Sequence, residues 1–391
     1  MASNGSKAEV LIIGAGVMGA SLAFHLAQRR IGRIVVLDKE HCGKGASGRS
    51  SALVRMHYSF RPEVQLAVKS LEIFQNWKEI VGEEGEFRRT GFVRLVPGSE
   101  LEVLKQNVAM QKQCGARTEV IGYAELRELE PDWNLEDEPA AAYEPDGGYG
   151  DGAIVAQDFI AAAREKGVEY RPRTSVTQVA VEGGRVTGVA TDKGEFEAPV
   201  VVLATGQWTN SILQNVGINL PISTEFHQVA ILRNPPDMRA AGCACIDSVF
   251  TLYFRSDSTD KTLLGDFYGT RNVDPDNFPQ RPSDEWLEEI IEKASRRLPK
   301  LQYAEVMRGV TGIYDMTPDS RPLLGEIRGI HGLHVVAGFS GMGFKISPAI
   351  GLVMAELLAD GQATTVDISA FRPSRFEEGK PIRAEFEYQD D

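Results

Sequence analysis

Four short stretches of the chain are made almost wholly of apolar residues. They are Val10–Ile13, Ile34–Leu37, Val200–Leu203 and the run within "GLHVVAG" at 332–338. An unbroken apolar run of this length is typical of a strand that is buried on both faces of a parallel sheet. We therefore predict buried parallel strands that come from distant parts of the chain.

Elsewhere apolar and polar residues alternate, which predicts antiparallel strands. Between 175 and 204 the alternation has a period of two, and turn signals fall at 183–184 and 193–194, so we predict a small meander. Residues from about 220 to 304 indicate further antiparallel strands and one amphipathic helix, "DEWLEEIIEKASRRL". For the last helix, in "SPAIGLVMAELLADG", we predict Ser347 as its cap, Pro348 at its first position and Gly361 at its end.

These patterns together predict a mixed α/β fold. A chain of 391 residues, 42% of them hydrophobic, buries a large core and has room for two domains. Because the buried strands recur late in the chain, the domains should be discontinuous. We expect a cofactor-binding domain from residues 1–88, 141–219 and 310–391, and a substrate-binding domain from residues 89–140 and 220–309.

The first apolar run leads into a glycine motif. Gly14, Gly16 and Gly19 match G-x-G-x-x-G between a strand and a helix, and the second strand ends at Asp38, where an acid that binds ribose is expected. This arrangement predicts a dinucleotide site; the alternative is a tight strand-to-helix turn in another α/β fold. Two late apolar strands each end in a small-residue loop, "ATGQW" and "GFSGMGFK". We therefore expect these loops and the first glycine motif to enclose one extended cofactor, and such an arrangement suits FAD better than NAD.

Composition excludes several other classes of protein. The formal net charge of −13 argues against a nucleic-acid binder, which needs a basic face. Four cysteines give no disulfide framework, and the "CAC" pair at 243–245 has no partner at zinc-ligand spacing, so we expect no metal. The polar start of the chain carries no signal segment and no window is long and apolar enough to span a membrane. We expect a cytoplasmic protein.

The motifs also resemble those of a known family. "VLIIGAGVMG", "VVLATGQW", "MTPDSRPLLG" and "AGFSGMGFKISPAIG" are similar, in this order, to the FAD-dependent D-amino-acid oxidase superfamily. Within it they resemble the branch of sarcosine oxidases, sarcosine oxidase β subunits and dye-linked L-proline dehydrogenase. The resemblance implies a Rossmann-like FAD domain and a discontinuous substrate domain built on a mixed or antiparallel sheet.

The resemblance also implies which residues form the site. The segment 45–58 would lie along the flavin. Arg55 would bind the substrate carboxylate with its planar guanidinium, Lys345 would be the second carboxylate partner, and Tyr253 would line the pocket. The alternatives are a surface or structurally paired Arg55, a helix-entry lysine and a core tyrosine. The expected FAD contacts are Gly14, Gly16, Val17, Met18, Gly19, Asp38, Lys39, Ser50, Ser51, Ala52, Val176, Thr205, Gly206, Trp208, Gly341, Met342, Gly343, Phe344 and Lys345.

The sequence departs from the sarcosine oxidase pattern at two positions. Gly312 stands where the monomeric enzyme attaches its flavin through cysteine, so we expect non-covalent FAD. Leu263 stands where that enzyme has the lysine that promotes reaction with oxygen, although Lys261, two residues earlier on the same strand face, remains a substitute. His57, beside Arg55, is a candidate base. Because hydride transfer from a neutral amine needs no strong base, a structural role is favoured for this histidine.

The expected function is oxidation of the C–N bond of a small secondary or N-methyl amino acid, with hydride transfer to flavin N5. The substrate would carry a free carboxylate, and electrons would leave to oxygen or to a partner protein. The sequence leaves open a homo- or hetero-oligomer. The alternatives are an FAD-binding β-like subunit or assembly factor without its own activity, and a flavoenzyme acting on an opine or another substrate that is not an amino acid.

Overall fold

The computed structural model describes residues 7–238 and 242–388. Within them the strands are β1 Val10–Ile13, β2 Ile34–Leu37, β3 Leu53–Val54, β4 Arg88–Arg89, β5 Phe92–Val96, β6 Glu119–Ile121, β7 Ala140–Glu144, β8 Gly148–Tyr149, β9 Glu169–Arg171, β10 Val176–Glu182, β11 Arg185–Thr191, β12 Gly194–Glu197, β13 Val200–Leu203, β14 Ser223–Arg233, β15 Ala244–Asp247, β16 Leu252–Ser258, β17 Lys261–Asp266, β18 Thr270–Arg271, β19 Glu305–Met316, β20 Leu323–Glu326 and β21 Leu333–Ala337. The helices are α1 Val17–Arg29, α2 Arg61–Gln75, α3 Trp77–Ile80, α4 Leu101–Gln113, α5 Tyr123–Leu129, α6 Gly152–Glu165, α7 Thr209–Leu213, α8 Asp284–Arg297 and α9 Gly343–Asp360.

The four apolar runs form the centre of one six-stranded sheet, as the sequence predicts. Its order is β20-β21-β13-β1-β2-β9, and all neighbours are parallel except β20 and β21. Residues on one face, such as Val10 and Ile12, pack under α1, α6 and α9. Their neighbours Leu11 and Ile13 pack on the other face with the meander β10-β11-β12. Both faces are therefore buried, which explains why these strands lack polar residues.

A nine-stranded mixed sheet forms the second layer of the molecule. Its order is β18-β14-β17-β16-β15-β5-β7-β6, with β19 paired along β14; β15 and β5 are its parallel pair. The amphipathic α8 packs on one face of this sheet, with Ile290 and Ala294 buried among the strand residues. The opposite face carries a smaller apolar cluster that includes Leu53 of β3, together with Phe92, Tyr253 and Leu263. The small sheet β3-β8-β4 therefore links the two layers.

The two layers match the mixed α/β fold expected from the sequence, and the division into a cofactor and a substrate domain remains a proposal. Strands β7 and β19 run across two of the expected boundaries, at 140/141 and at 309/310. Among the described residues, no helix combines the length and the apolar character needed to cross a membrane.

The predicted start of the last helix is wrong. Helix α9 begins at Gly343, so Pro348 lies inside it, and Gly361 ends it in the left-handed conformation as predicted, with φ of 79°. Proline has no N–H to donate to the carbonyl of Phe344, four residues earlier. The Ser347 hydroxyl donates to that carbonyl instead, at 2.8 Å. The serine therefore satisfies a carbonyl group inside the helix and does not cap its N-terminus.

Helices α1 and α9 are packed so closely that we expect Gly351→Ala to destabilise the protein. A Cβ at Gly351 would lie 2.5 Å from the carbonyl carbon of Ser21 and 2.7 Å from the amide nitrogen of Leu22, both backbone atoms of α1. Forcing the helices apart should lower the free energy of unfolding by about 3 kcal/mol. Gly361→Ala is the matched control, because nothing lies within 4 Å of its Cβ and only the left-handed backbone costs about 1 kcal/mol. Equal losses in denaturant unfolding would contradict this packing argument.

Candidate active site

A cavity of about 530 Å³ opens at the carboxyl ends of the parallel strands. This is the edge at which α/β sheets bind their ligands, because the loops that follow the strands meet there. Many of the residues expected to contact FAD line this cavity. They are Gly14, Gly16, Val17, Met18, Asp38, Lys39, Ser50, Val176, Thr205, Gly206, Trp208, Gly341, Gly343 and Phe344.

The other expected site residues lie outside the lining of this cavity. They are Gly19, Ser51, Ala52, Arg55, Tyr253, Met342 and Lys345. Gly19 serves packing, since its Cβ would lie 1.9 Å from the carbonyl oxygen of Gly14. The Ser51 carbonyl accepts from Arg255 Nε at 2.7 Å, and Ala52 follows with a left-handed φ of 53°. These two residues therefore shape the loop between the cavity and Arg55.

The turn after β1 keeps the backbone bare where a cofactor would approach. Gly14 has φ of 103°, and its Cβ would lie 2.3 Å from the carbonyl oxygen of Ala204. The Cβ of Gly16 would meet only the Ser47 hydroxyl, at 3.0 Å, and Gly16 itself has no side chain to cap α1. The Asp38 carboxylate accepts from the amide of Ala15 at 2.6 Å and so fixes the turn. A helix N-terminus behind bare glycines fits the pyrophosphate of a dinucleotide.

The start of α9 forms the other end of the cavity. No side chain caps this helix; Gly341 has φ of 79°, and a Cβ added there would lie 2.5 Å from the Tyr314 ring. The Asp315 carboxylate accepts from the amide of Gly338 at 2.6 Å, and burial raises its pKa to about 6. The partial positive charge of the helix N-terminus faces the cavity and would stabilise negative charge there. This fits the flavin end of FAD.

Sequence reasoning missed several residues that line the cavity. Ser47 accepts from the Val17 amide at 3.0 Å, and the Arg49 guanidinium donates to the Thr311 carbonyl at 2.8 Å. Both lie in the Gly/Ser-rich segment that was expected along the flavin. The position of these residues in that segment was therefore the sequence signal that could have identified them. Asp276 bonds to both Lys39 Nζ and Trp208 Nε1, each at 2.9 Å. No local pattern marks Asp276, because its partners are more than sixty residues away.

Arg55 and Lys345 lie close together in a buried polar cluster, next to the cavity wall formed by Phe344. The Arg55 guanidinium lies 4.4 Å from the Tyr58 ring centroid and 6.0 Å from that of Phe92. Its Nε is buried and finds no hydrogen-bond partner among the described residues. Burial, then the charge of Arg55, lowers the pKa of Lys345 well below its usual value, and Glu63 opposes the shift. A buried, unused arginine donor beside a lysine suits a carboxylate ligand.

Tyr253 lies on the apolar face of the large sheet, in the same cluster as Leu263. It faces Gly265 on β17, whose Cβ would lie 2.2 Å from the tyrosine hydroxyl, so only glycine leaves room for the ring. The hydroxyl is buried close to the Tyr314 hydroxyl, and burial raises the pKa of Tyr253 well above the usual value. Lys261 lies at the start of β17, opposite Arg233 and two residues before Leu263 on the same strand face.

His57 is held in a structural contact. One ring nitrogen, Nε2, shares a hydrogen bond of 2.8 Å with the Tyr388 hydroxyl. Burial, then the charges of Arg94 and Arg55, lowers the pKa of His57 well below its usual value, so the ring is neutral. Nδ1 is buried and has no hydrogen-bond partner among the described residues. The tyrosine contact and the burial of the ring favour the structural interpretation of this histidine.

A buried carboxyl group near Arg55 makes stability depend on pH. Glu144 is fully buried, accepts from the Met56 amide at 2.8 Å, and has its pKa raised by burial from 4.5 to about 7. The unfolded chain releases this proton at lower pH than the folded protein, so ionisation costs the folded state stability between about pH 4.5 and 7. Glu144→Gln removes this cost and keeps the acceptor for Met56.

We therefore expect Glu144→Gln to gain stability over the wild type as pH rises. At about 1.4 kcal/mol per pKa unit, the difference in free energy of unfolding should grow by roughly 3 kcal/mol between pH 5 and pH 8. Denaturant unfolding of the flavin-loaded proteins at both pH values measures it. The exposed Glu136→Gln serves as control and should show no such trend. A difference independent of pH would mean that Glu144 is ionised throughout.

Comparison with known proteins agrees with this geometry. The DAO family, described as FAD dependent oxidoreductase, matches residues 9–357. Sarcosine oxidase subunit beta from Rhodobacter capsulatus is 25% identical over 380 residues, which cover 96% of this chain and 90% of that protein. The mitochondrial pyruvate dehydrogenase phosphatase regulatory subunit of Mus musculus is 26% identical over 372 residues, which cover 91% of this chain and 42% of that protein.

Solved structures show the same fold. The crystal structure of L-proline dehydrogenase from P. horikoshii superposes with a TM-score of 0.90 and 27% identity, covering 96% of this chain and all of that one. Glycine oxidase from Geobacillus kaustophilus gives a TM-score of 0.82 and 25% identity over 95% of this chain and 99% of that one. The family match spans most of the chain and includes the glycine turn and the start of α9. The protein therefore belongs to the DAO family of FAD-dependent oxidoreductases.

Proposed function

We propose that this protein oxidises the C–N bond of a small secondary or N-methyl amino acid, of the sarcosine or proline type. One observation carries the proposal: the half-buried Arg55 lies near the buried Lys345, and the carboxylate that offsets Lys345 is already engaged. Glu63 pairs with Arg321 Nε at 2.8 Å. Two neighbouring basic groups without a free counter-ion favour an anionic ligand, and a substrate carboxylate meets that need.

The chain's own residues would bind and orient the substrate. Arg55 and Lys345 would hold the carboxylate, and the apolar surface of Tyr253, Leu263 and Phe92 would pack on the carbon atoms and exclude water. When bound, FAD supplies the hydride acceptor, N5. Fixing a small amino acid by its carboxylate positions the reacting C–H, and such positioning supplies much of the rate enhancement in reactions of this kind.

The apolar cluster also bears on the electron acceptor. Leu263 occupies the strand position at which the sarcosine oxidase pattern has its oxygen-activating lysine, and Lys261 lies two residues earlier, at the start of β17 opposite Arg233. We propose a dehydrogenase that passes electrons to an acceptor other than oxygen. The proposal predicts slow reoxidation of the reduced protein by air and faster reoxidation by an artificial dye.

Anaerobic mixing with a panel of N-methyl and cyclic amino acids tests the substrate class. Substrates should bleach the absorbance of oxidised flavin near about 450 nm, while the matching amino-acid amides, which lack the carboxylate, should bleach it far more slowly. Bleaching by none of the amino acids would reject the proposal. It would favour the alternative of a protein without its own activity, for which the murine relative named as a regulatory subunit is the supporting observation. Bleaching by an opine alone would favour the alternative of a flavoenzyme that acts on an opine.

We expect the FAD to be bound without a covalent link. Gly312 offers no side chain for attachment, and all four cysteines, each within the described residues, lie outside the cavity lining. Precipitation with acid should therefore release all of the yellow colour into the supernatant, and the protein mass should equal that of the polypeptide. Colour that stays in the pellet of washed protein would contradict this expectation.

A further inference from the structure

The buried lysine of the site raises a question about charge. Lys345 lies in the first turn of α9 with 7% of its surface exposed, and no hydrogen bond or ion pair joins its ammonium group to another of the residues described. The charged groups that face it are Arg55, which follows β3, and Glu63 on α2. Arg55 repels a positive lysine, and so does the N-terminus of the helix that carries it.

The one facing carboxylate offsets these effects only in part. Glu63 is fully buried and lies 2.8 Å from Arg321 Nε, so its charge is shared with that guanidinium. The burial of an unpaired ammonium group costs several kcal/mol, and a lysine in this position releases its proton instead. Before substrate binds, Lys345 therefore carries a free lone pair on Nζ, which makes it a base.

An amino acid arrives in the opposite state. At neutral pH it is a zwitterion with an ammonium group and a carboxylate, and its nitrogen must lose a proton before the adjacent C–H gives up hydride. In an α-amino acid the nitrogen and the nearer carboxylate oxygen are close enough for one Nζ to reach both. The substrate nitrogen must therefore give up a proton, and the unpaired Lys345 can accept one.

We propose that Lys345 is the base that takes the ammonium proton of the bound amino acid. An N–H bond of the substrate breaks and its electron pair stays on the substrate nitrogen, while the lone pair of Lys345 Nζ forms a new N–H bond. The substrate becomes an amine able to donate hydride, and Lys345 becomes the ammonium partner of the carboxylate beside Arg55. Charge is conserved within the site, and no proton is exchanged with solvent. The step rests on the proposed function.

Other bases near Arg55 are less suited to this step. The imidazole of His57 is a weaker base than an amine, burial lowers its pKa further, and its Nε2 is engaged by Tyr388. Glu144 uses Oε2 to accept from the Met56 amide. Burial keeps Glu144 protonated up to a pH of about 7, its pKa, so it does not accept a proton in acidic solution. Lys345 combines an amine that has no hydrogen-bond or ion-pair partner among the described residues with a place in the first turn of α9, next to the cavity-lining Phe344.

Calorimetry with two non-oxidisable ligands tests the proposal. Isobutyrate has the carboxylate alone, and 2-aminoisobutyrate adds the ammonium group but has no hydrogen on its α-carbon. Each is titrated into the oxidised, FAD-loaded protein at pH 7 in phosphate and in Tris, whose ionisation heats differ. When isobutyrate binds, the protein should take up about one proton from the buffer, because Lys345 must then be charged from solvent. When 2-aminoisobutyrate binds, the uptake should be about zero, because the ligand supplies the proton.

Lys345→Arg provides the matched variant, because arginine keeps the positive charge and cannot accept a proton. It should bind both ligands without proton uptake. Its flavin reduction by amino acids should be about 100-fold slower at pH 7, and should rise about tenfold per pH unit as free amine appears in solution. Glu144→Gln should keep the wild-type pH profile. Binding of isobutyrate to the wild type without proton uptake, or loss of the base function in Glu144→Gln alone, would overturn the proposal. Failure of every carboxylate to bind would reject the proposed function, and this step with it.

Discussion

Arg55→Met is expected to lower kcat/KM for an amino-acid substrate by about 1000-fold, mainly through KM. Hydrogen bonds to a charged group contribute about 1.5–3 kcal/mol each, and a guanidinium gives a carboxylate two of them. Each 1.4 kcal/mol corresponds to about a factor of ten. The flavin content should not change, because Arg55 lies outside the lining of the dinucleotide cavity.

The substrate amide separates a contact with the carboxylate from a structural effect. If Arg55 binds the carboxylate, wild type and Arg55→Met should reduce their flavin at similar low rates with the amide of the same amino acid, since the contact is missing in both. An equal loss with the acid and the amide would show that Arg55 acts on the fold instead. Arg328→Met removes an exposed arginine that pairs with Glu377 on the surface, and it should behave as wild type with both compounds.

The parallel sheet could be predicted from the sequence because burial on both faces leaves a continuous apolar run. Val10–Ile13 packs against helices on one side and the meander on the other, so each of its positions must be apolar. The start of α9 was mispredicted for the opposite reason. A proline usually marks the first turn of a helix, but here the Ser347 hydroxyl satisfies the carbonyl that Pro348 leaves free. No local pattern distinguishes these two cases.

The candidate site was predictable to the extent that it depends on local motifs. The glycine turn and Asp38 follow from their spacing around β1 and β2, and both line the cavity. The expectation that Arg55 and Lys345 belong to one site came from the family resemblance, because 290 residues separate them in the sequence. Asp276 lies in an irregular loop, and its contacts with Lys39 and Trp208 depend on how the large sheet sits over the cavity. Contacts of this kind have no sequence period.

Gly14→Ala is expected to abolish FAD binding by disrupting the turn itself. The added Cβ would lie 2.3 Å from the carbonyl oxygen of Ala204 and would impose a side chain on a backbone with φ of 103°. The amide of Ala204 donates to the Ile13 carbonyl, so the clash pushes β13 away from β1 at the edge of the cavity. We expect a loss of about 3 kcal/mol in the free energy of unfolding, together with colourless protein.

Gly16→Ala tests the cofactor contact without that damage. Gly16 has an ordinary φ of −69°, and its Cβ would meet only the Ser47 hydroxyl, so the apoprotein should unfold within about 0.5 kcal/mol of wild type. The methyl group would project where the pyrophosphate approaches the start of α1, and the Kd for FAD should rise at least about tenfold. Titration of each apoprotein with FAD, followed by flavin fluorescence, measures both variants. Wild-type affinity in Gly16→Ala would place the pyrophosphate away from this helix, because a bare backbone at position 16 would then serve no ligand.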